Sequence, residues 1–581
     1  MRTGPQLPEV RLCRRADLAN GVPLPTRPAE LLGHLYRARG AAAEPALSLA
    51  GMHQAAELGG IDLAADLLAA QLQTGGHILV VGDYDADGAT GSALAVRGLR
   101  ALGAARVSYL IPSRFDFGYG LSPAVVEAAL PRAPDLILTV DNGIASVAGV
   151  ARAAQAGVPV IVTDHHLPGP ELPGAAAIVN PNQAGCTFPS KHLAGVGVMF
   201  YLLAALRSRL RGLGWFGPGR PEPNLAASLD LVALGTVADV VALDENNRIL
   251  VEQGLQRIRA GRCCPGVRAL LAVAGRDPTR VTAQDLGFYA GPRLNAAGRL
   301  TDMAMGVECL LTDDPDLALD LARRLDGLNR ERRDIEGGMR EEAQAMVEAL
   351  SLDATGLPAG LCLFGEGWHQ GVTGIVAARI RERYQRPTIA FGDAGGGRLR
   401  GSARSVDGAN IRDLIDAVDK THPGLIERFG GHAMAAGLTL PCAHLDTFST
   451  AFAAAALAEL GDRPPVRELV SDGELAPASL NLETAELLRS AGPWGKGFPE
   501  PLFDGLFEVL ERRLVGGTHL RLRLRPVGED GTGPIEAIGF RLGEALEDAQ
   551  GLVHLAYRLD VNEYRGQRNP QLVLEYLQRA R

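Results

Sequence analysis

Three short apolar runs in the first half of the chain each end in acidic or histidine residues. Residues 78–81 precede Asp83, Asp85 and Asp87, residues 136–140 precede Asp141, and residues 159–162 precede Asp164, His165 and His166. Helical stretches alternate with these runs, a pattern typical of βαβ units and a parallel sheet. Because ligands bind outside the carboxyl ends of such strands, we expect these side chains to meet at one edge of the sheet.

The concentration of carboxylates in a single turn requires a cation. A helical stretch further along the chain ends in Asp239, which supplies a fourth cluster. Two simpler interpretations of the acidic turn exist. The pattern Asp-x-Asp-x-Asp-Gly also opens an EF-hand loop, but Leu94 stands where that loop needs a bidentate Glu, and a strand-like run precedes the turn. The other interpretation is a helix cap, which we expect of Asp87 alone.

Length and composition limit the number of domains and the class of protein that the chain can form. At 581 residues the chain is expected to form three or four domains, and its 46% hydrophobic and 22% charged residues are typical of a globular protein. The net charge of −9 argues against indiscriminate coating of nucleic acid, although it allows a local basic groove. Seven scattered cysteines indicate neither a disulfide framework nor a zinc site. With no signal peptide or membrane span, we expect a cytoplasmic protein without membrane contact.

Four further motifs accompany the acidic clusters. They lie at residues 291–299 (GPRLNAAGR), 367–372 (GWHQGV), 401–405 (GSARS) and 429–432 (FGGH). In order and content the whole set resembles the DHH phosphoesterase superfamily, whose name comes from the triplet at Asp164-His165-His166. The resemblance covers roughly residues 75–460 by motif and the rest only by architecture.

The resemblance implies an α/β fold with two lobes. A parallel-sheet catalytic lobe and a DHH-associated lobe would be joined by a long helix and followed by a C-terminal OB-fold β-barrel. The expected boundaries are 1–60 for a leader with a helical segment, 61–255 for the catalytic domain, 256–355 for the helical connector, 356–462 for the DHH-associated domain and 463–581 for the barrel. A helix-like patch is expected at residues 45–58, and residues 317–350 predict one long helix or a pair interrupted at Gly337-Gly338.

The resemblance also implies a site with two Mn²⁺ or Mg²⁺ ions. The implied ligands are Asp83, Asp85, Asp141, His165 and Asp239, with Asp141 as the bridge between the ions. His166 would be catalytic by facing the scissile phosphate, and Asp87 and Asp164 would support the ligands. The superfamily often has a histidine four residues before the first aspartate, where this chain has Leu79, so the ligand set of the first ion stays open.

Candidate substrate-binding residues lie in three regions of the chain. The group expected around a terminal phosphate comprises Arg114, Asn295, Arg299, Ser402 and Arg404. Gly431 and His432 belong to a glycine turn that lets backbone amides approach an anion. Residues 519–525 alternate strictly, which places Arg521, Arg523 and Arg525 on one strand face. From the residues alone, this face is equally consistent with binding a single strand and with ordinary solvation; the implied OB domain favours binding.

The resemblance implies a metal-dependent exonuclease that degrades single-stranded DNA from 5′ to 3′ and releases 5′-mononucleotides during DNA repair and recombination. Its implied partners are single-stranded DNA, a single-stranded-DNA-binding protein and a helicase. Two alternatives stay open. One is a phosphodiesterase acting on oligoribonucleotides, cyclic dinucleotides or pyrophosphate, and the other is a non-catalytic single-strand-binding relative.

Overall fold

The computed structural model of the chain describes residues 8–15, 24–42, 46–350, 356–461, 466–528, 533–564 and 566–580. The chain divides into two units. The smaller comprises Met1–Cys13 and Arg330–Val470, and the larger comprises Arg14–Asn329 and Ser471–Arg581. Within the described residues, no helix combines the length and the apolar character needed to cross a bilayer.

A five-stranded parallel sheet lies at the centre of the larger unit, as the alternating pattern predicted. The first elements of the chain are β1 (Glu9–Arg14), α1 (Pro28–Arg37), α2 (Ile61–Thr74), β2 (His77–Gly82), α3 (Ala86–Ala101), β3 (Arg106–Leu110), α4 (Pro123–Ala129), β4 (Leu136–Val140), α5 (Val147–Gln155), β5 (Val160–Thr163) and β6 (Ala177–Val179). The strand order is β3-β2-β4-β5-β6. All residues of β4 and β5 are buried, which explains why these strands read as continuous apolar runs.

Helices cover this sheet and continue the chain toward the smaller unit. They are α6 (Gly195–Gly212), α7 (Leu229–Ala238), α8 (Glu245–Arg259), α9 (Pro265–Val273), α10 (Ala283–Asp285), a π-helical turn (Leu286–Ala290), α11 (Gly291–Leu300), α12 (Ala304–Leu311) and α13 (Pro315–Leu350). Helix α13 is continuous over 36 residues, which decides between the two predicted alternatives. Gly337 and Gly338 lie inside it and do not interrupt it.

The smaller unit contains a second five-stranded sheet. Its elements are β7 (Leu361–Phe364), α14 (Gln370–Tyr384), β8 (Thr388–Gly395), β9 (Arg398–Arg404), α15 (Ile411–Thr421), β10 (Arg428–Gly431), β11 (Ala435–Pro441) and α16 (Leu445–Leu460). The strand order is β10-β11-β9-β8-β7. Strand β7 pairs with β8 in parallel and the other pairs are antiparallel, so this sheet is mixed.

A closed five-stranded barrel forms the C-terminal part of the larger unit, in agreement with the expected OB-fold architecture. The last elements are β12 (Val466–Ser471), α17 (Leu482–Ser490), β13 (Phe503–Val515), β14 (His519–Pro526), β15 (Ile535–Gly539), β16 (Leu552–Tyr564) and β17 (Gln567–Arg579). The barrel order is β13-β14-β15-β17-β16. Strand β12 lies outside the barrel and pairs with β1.

The N-terminal segment departs from the prediction in two ways. The expected helical patch at residues 45–58 is wrong, because its described part contains only two short 3₁₀ turns, Leu49–Gly51 and Ala55–Glu57. Helix α1, which was not predicted, places Leu31 and Leu35 in the same hydrophobic core as the barrel residues. Helix α1 therefore packs into the core of the C-terminal barrel.

Candidate metal centre

The acidic turn follows β2 and precedes α3. Asp85, rather than Asp87, caps α3, since its carboxylate accepts hydrogen bonds from the backbone amides of Asp87 and Gly88. The predicted helix-capping role of Asp87 at α3 is therefore wrong. The Asp87 carboxylate instead accepts from the amides of Gly195 (2.6 Å) and Val196 (2.9 Å) at the start of α6, so it joins two parts of the catalytic lobe.

Asp141 directly follows β4 and has a left-handed backbone, with φ of 63°. This conformation is uncommon for residues other than glycine. Its carbonyl accepts from the Tyr119 hydroxyl at 3.2 Å, and its amide donates to the Thr163 carbonyl at 3.1 Å. A Cβ on Gly195 would lie 2.5 Å from the Asp141 Cβ, so only glycine fits there. These contacts hold the carboxylate at the carboxyl edge of the sheet.

The DHH triplet follows β5 and orients its two imidazoles differently. His165 hydrogen-bonds the backbone of Leu193 and has its Nε2 atom 3.0 Å from Asp141 Oδ1 and 3.6 Å from Asp239 Oδ2. His166 Nδ1 lies 2.8 Å from Asp164 Oδ1. The Asp164 carboxylate also accepts from the backbone amides of Ile144, His165 and His166, so it fixes the shape of the turn.

Asp239 caps the C-terminal end of α7, as its position after a helical stretch predicted. The next residue, Val240, is 58% exposed and has φ of 60°. A β-branched residue in this region is an outlier, and such strained positions cluster at functional sites. The amide of Leu243 donates to the Lys496 carbonyl at 2.7 Å, which attaches this corner to the segment leading into the barrel.

Six of these side chains form two groups that share no residue. The first group is Asp83, Asp85 and Asp141, and the second is Asp87, His165 and Asp239; ligand atoms within each group lie within 4.8 Å of one another. Asp141 Oδ1 and His165 Nε2 are buried and have no hydrogen-bond partner among the residues that the structure describes. Because buried polar atoms are nearly always paired, these two atoms fit a metal ion. Carboxylates with imidazole suit Mn²⁺ as well as Mg²⁺.

The pKa values in the cluster show how unfavourable it is without cations. Burial, followed by the charge of Asp85, raises the pKa of Asp87 to about 7 and raises that of Asp83 well above its usual range. Burial and the charge of Asp87 raise the pKa values of Asp141 and Asp239 in the same way. Burial also lowers the pKa of His165 to about 4, which keeps this imidazole neutral as a metal ligand must be.

The pKa of His166 shifts in the opposite direction from that of His165. Burial opposes its positive charge, but the hydrogen bond to Asp164 and the charges of Asp164, Asp83 and Asp85 together outweigh burial and raise the pKa of His166 to about 8. The bond to His166 also helps to lower the pKa of Asp164 against the opposing effect of burial. The ring is therefore charged at neutral pH and suited to attract a phosphate.

The remaining candidates of the larger unit surround the acidic turn. The Arg114 guanidinium lies 4.2 Å from the centre of the Tyr84 ring, and its charge favours ionised Asp83. Asn295 Oδ1 accepts from the amide of Ala86, the first residue of α3, so Asn295 supports the acidic turn. Arg299 lies in the last turn of α11, where the preceding Gly298 leaves no room for a side chain against the Tyr84 carbonyl.

The candidates of the smaller unit lie on β9, beside the first turn of α14, and at the end of β10. The Ser402 hydroxyl is 3.0 Å from that of Thr373, and a Cβ on Gly374 would lie 2.9 Å from Arg404 Nη2. Gly431 has φ of 147° and ends β10, and the amide of His432 donates to the Ala435 carbonyl in a hairpin turn. The predicted glycine turn is thus the end of a hairpin.

Sequence reasoning missed Arg381 in this unit. Burial, and then the charge of Arg381, lower the pKa of the half-buried Arg404, so the two guanidinium groups are close neighbours. In the described chain the Arg381 side chain has no hydrogen-bond or ion-pair partner, and its Nε is buried. Its position on α14 between Arg379 and Arg383 did not indicate phosphate binding, because a basic helix surface is usually solvated.

Each of the three barrel arginines is paired with a glutamate on a neighbouring strand. Arg521 pairs with Glu536 (3.0 Å), Arg523 with Glu511 (3.0 Å) and Arg525 with Glu508 (2.9 Å). The alternation of β14 was predicted correctly, since Leu520, Leu522 and Leu524 are buried. However, the arginine face is electrically balanced, a property that the sequence of β14 alone did not reveal.

Comparisons with known proteins agree with this architecture. Residues 77–236 match the DHH family, N-terminal domain, residues 356–458 match the DHHA1 domain, and residues 471–576 match the RecJ OB domain. The fold and site thus define a DHH-family protein with two lobes and an OB barrel, as predicted.

More specific similarities extend over almost the entire chain. The single-stranded-DNA-specific exonuclease RecJ of Salmonella typhimurium is 52% identical over 97% of this chain and 98% of that protein. The Mn²⁺ complex of RecJ from Thermus thermophilus has a TM-score of 0.78 at 32% identity, covering 99% of this chain and 80% of that one, and the Mg²⁺ complex has a TM-score of 0.73 at 30% identity, covering 99% and 79%. The chain belongs to the RecJ family.

Proposed function

We propose that this protein is a metal-dependent exonuclease that degrades single-stranded DNA from the 5′ end and releases 5′-mononucleotides. The observation that carries the proposal is the pair of separate acidic groups at the carboxyl edge of the sheet. Membership of the RecJ family supports the exonuclease activity and the single-stranded substrate. The Mn²⁺ and Mg²⁺ complexes of the Thermus thermophilus relative support a divalent cation.

Two ions fit the donor set better than one. Asp83 and Asp85 would hold one ion, Asp87, His165 and Asp239 would hold the other, and Asp141 would lie between them. Asp87 is included because its carboxylate groups with two proposed ligands, although the sequence suggested only a supporting role. Divalent ions in such a pair lower the pKa of a water and stabilise the attacking and leaving oxygens of a phosphodiester.

In the larger unit, charged side chains would position the substrate around these ions. Charged His166, held by Asp164, would attract the scissile phosphate, and Arg114 would contribute a second positive charge beside Asp83. In the smaller unit, Ser402, Arg404 and Arg381 form a phosphate-binding candidate without an acidic partner in the described chain. Two neighbouring guanidinium groups favour a dianionic terminal phosphate over the monoanionic phosphate of an internal linkage. This preference is the basis for proposing 5′-end polarity.

The test uses 5′-labelled and 3′-labelled single strands, the matching duplex, a dinucleotide and pyrophosphate, each with Mn²⁺ or with EDTA. We expect release of the 5′ label as a mononucleotide, dependence on Mn²⁺, and little degradation of the duplex. Preferential hydrolysis of the dinucleotide or of pyrophosphate would favour a smaller-substrate enzyme. Binding without hydrolysis in every metal tested would favour a non-catalytic protein. Early release of the 3′ label would contradict the proposed polarity.

A further inference from the structure

The second acidic group is attached to two irregular segments of the larger unit. Residues 190–194 lead into α6, and residues 239–244 follow α7; neither segment contains a helix or a strand. His165 hydrogen-bonds Leu193 in the first segment, and Asp239 is the first residue of the second. Since such segments lack the repeating backbone bonds of helices and sheets, their positions must be fixed by individual side chains.

The bond between His165 and Leu193 determines which ring nitrogen can bind a metal ion. This bond favours the protonated ring, so the acceptor is the Leu193 carbonyl. His165 Nε2 has no hydrogen-bond partner in the described chain, and the donor is therefore Nδ1. A histidine whose Nδ1 holds the proton presents Nε2 as a free lone pair. The position of the Leu193 carbonyl thus fixes both the orientation of the imidazole and its metal-binding atom.

Asn247, in the first turn of α8, joins the two segments. Its side-chain amide nitrogen donates to the His192 carbonyl at 2.6 Å and to the Ala242 carbonyl at 2.9 Å. Both partners are acceptors, so they determine which end of the amide faces them. His192 immediately precedes Leu193, and Ala242 lies three residues after Asp239. One fully buried side chain therefore joins the backbone beside Leu193 to the backbone that follows Asp239.

A second connection between the segments lies beside the first. Asp244 caps α8 by accepting from the backbone amide of Asn247 at 2.9 Å, and its other carboxylate oxygen accepts from the Ser190 hydroxyl at 2.6 Å. By contrast, Asn247 Oδ1 is buried and has no hydrogen-bond partner among the described residues. The polar contribution of the Asn247 side chain therefore consists of its two donated bonds.

We propose that Asn247 is a positioning residue for the second metal ion, and that it acts by holding the ligands His165 and Asp239 in a fixed relative position. The inference rests on the proposed function, because it assumes an ion bound by the second acidic group. Asn247 would touch neither the ion nor the substrate. Loss of its two bonds would leave the carbonyls of His192 and Ala242 unpaired and would allow the two segments to move independently. Replacing a group that orients metal ligands typically weakens metal binding by about 10- to 100-fold.

Titration of the full chain with Mn²⁺ in the absence of DNA tests this role. Asn247→Leu keeps the approximate size of the side chain but removes both donated bonds. We expect the wild-type protein to bind two ions. The variant should bind one of them with wild-type affinity and the other about 10- to 100-fold more weakly. Hyperfine coupling of Mn²⁺ to an imidazole nitrogen identifies the ion bound to His165, and in the variant this coupling should require correspondingly more Mn²⁺.

Two further variants separate this role from a general effect on stability. Tyr201→Phe is the matched control, because it removes another buried hydrogen bond to the same turn of α8, from the Tyr201 hydroxyl to Asn246 Oδ1 at 2.7 Å. It should lower the melting temperature but leave the affinity for both ions unchanged, since this bond joins neither segment. Ser190→Ala removes only the bond to Asp244 and should weaken the same ion as Asn247→Leu by a smaller factor.

The inference is overturned if folded Asn247→Leu binds both ions with wild-type affinity. If that variant does not fold, unchanged affinities in Ser190→Ala overturn it instead. An equal loss of metal affinity in Tyr201→Phe also overturns it, because that result assigns the effect to general stability. A wild-type protein that binds fewer than two ions contradicts the two-ion centre of the proposed function. Two-ion binding that is the same in the wild type and the variants contradicts only the role of Asn247.

Discussion

His165 Nε2 lies 3.0 Å from Asp141 Oδ1, yet in the described part of the chain neither atom has a hydrogen-bond partner. The two residues belong to the ends of adjacent strands, and each is a member of a different one of the two acidic groups. Their ligand atoms also lie within 4.8 Å of one another and of a ring nitrogen of His166, which forms a third group. Their unsatisfied buried atoms fit a cation bound between the ends of these strands. Asp141 is consequently the residue whose charge matters most for the proposed chemistry.

Replacing Asp141 by Asn tests this role without disturbing the backbone. Asn tolerates the left-handed conformation that this position requires. We expect the rate of strand hydrolysis to fall by more than about 100-fold, which exceeds the 10- to 100-fold typical of residues that only support ligands. The metal-free variant should unfold at the same or a higher temperature, because it loses a repelled buried carboxylate. Retention of most of the turnover would contradict a central role for Asp141.

Most of the metal centre could be predicted because its residues follow strand ends. Asp83, Asp141 and His165 occupy the carboxyl edge that the alternation of apolar runs defined, and α7 ends at Asp239 as expected. Asp87 was assigned incorrectly as the cap of α3 because its actual partners, Gly195 and Val196, are more than 100 residues away. Arg381 was missed for a related reason. Its neighbour Arg404 comes from another element, and the local sequence contains no sign of it.

Metal binding should depend strongly on pH. The pKa of Asp87 is raised to about 7, so this carboxyl is partly protonated at neutral pH in the metal-free protein, and bound Mn²⁺ must displace that proton. At pH values between the pKa of Asp87 in the unfolded chain and about 7, Asp87 binds more protons in the folded protein than in the unfolded chain. The free energy of unfolding of the metal-free protein therefore increases as pH falls through this range. We therefore expect the Mn²⁺-induced rise in melting temperature to be larger at pH 8 than at pH 6. A rise that is independent of pH would contradict this linkage.

Arg381 should affect activity and stability in opposite directions. Arg381→Gln removes a positive charge from the phosphate-binding candidate, and a charge-assisted hydrogen bond contributes about 1.5–3 kcal/mol. The efficiency on 5′-phosphorylated strands should fall by about tenfold or more, with a smaller loss on 5′-hydroxyl strands. The melting temperature should not fall, because repulsion of Arg404 is relieved. Arg379→Gln is the matched control on the same helix, since Arg379 is already paired with Glu382 at 3.0 Å. Equal losses on both substrates would exclude a contact with the terminal phosphate.

Single-strand binding should change when either the arginines or the glutamates of the three barrel ion pairs are replaced. Replacing Arg521, Arg523 and Arg525 together by Ser leaves Glu536, Glu511 and Glu508 unpaired, so the face becomes negative. If the strand crosses this face, its affinity should fall. The slope of log affinity against log salt concentration should also become shallower by up to about 2, since each phosphate contact to a single strand contributes about 0.7.

The converse replacement of the three glutamates by Gln should strengthen binding while retaining the arginines. Because the six side chains form exposed pairs worth roughly 0–1 kcal/mol each, neither variant should unfold the barrel. Binding and salt slope that are unchanged in both variants would assign this face to ordinary solvation.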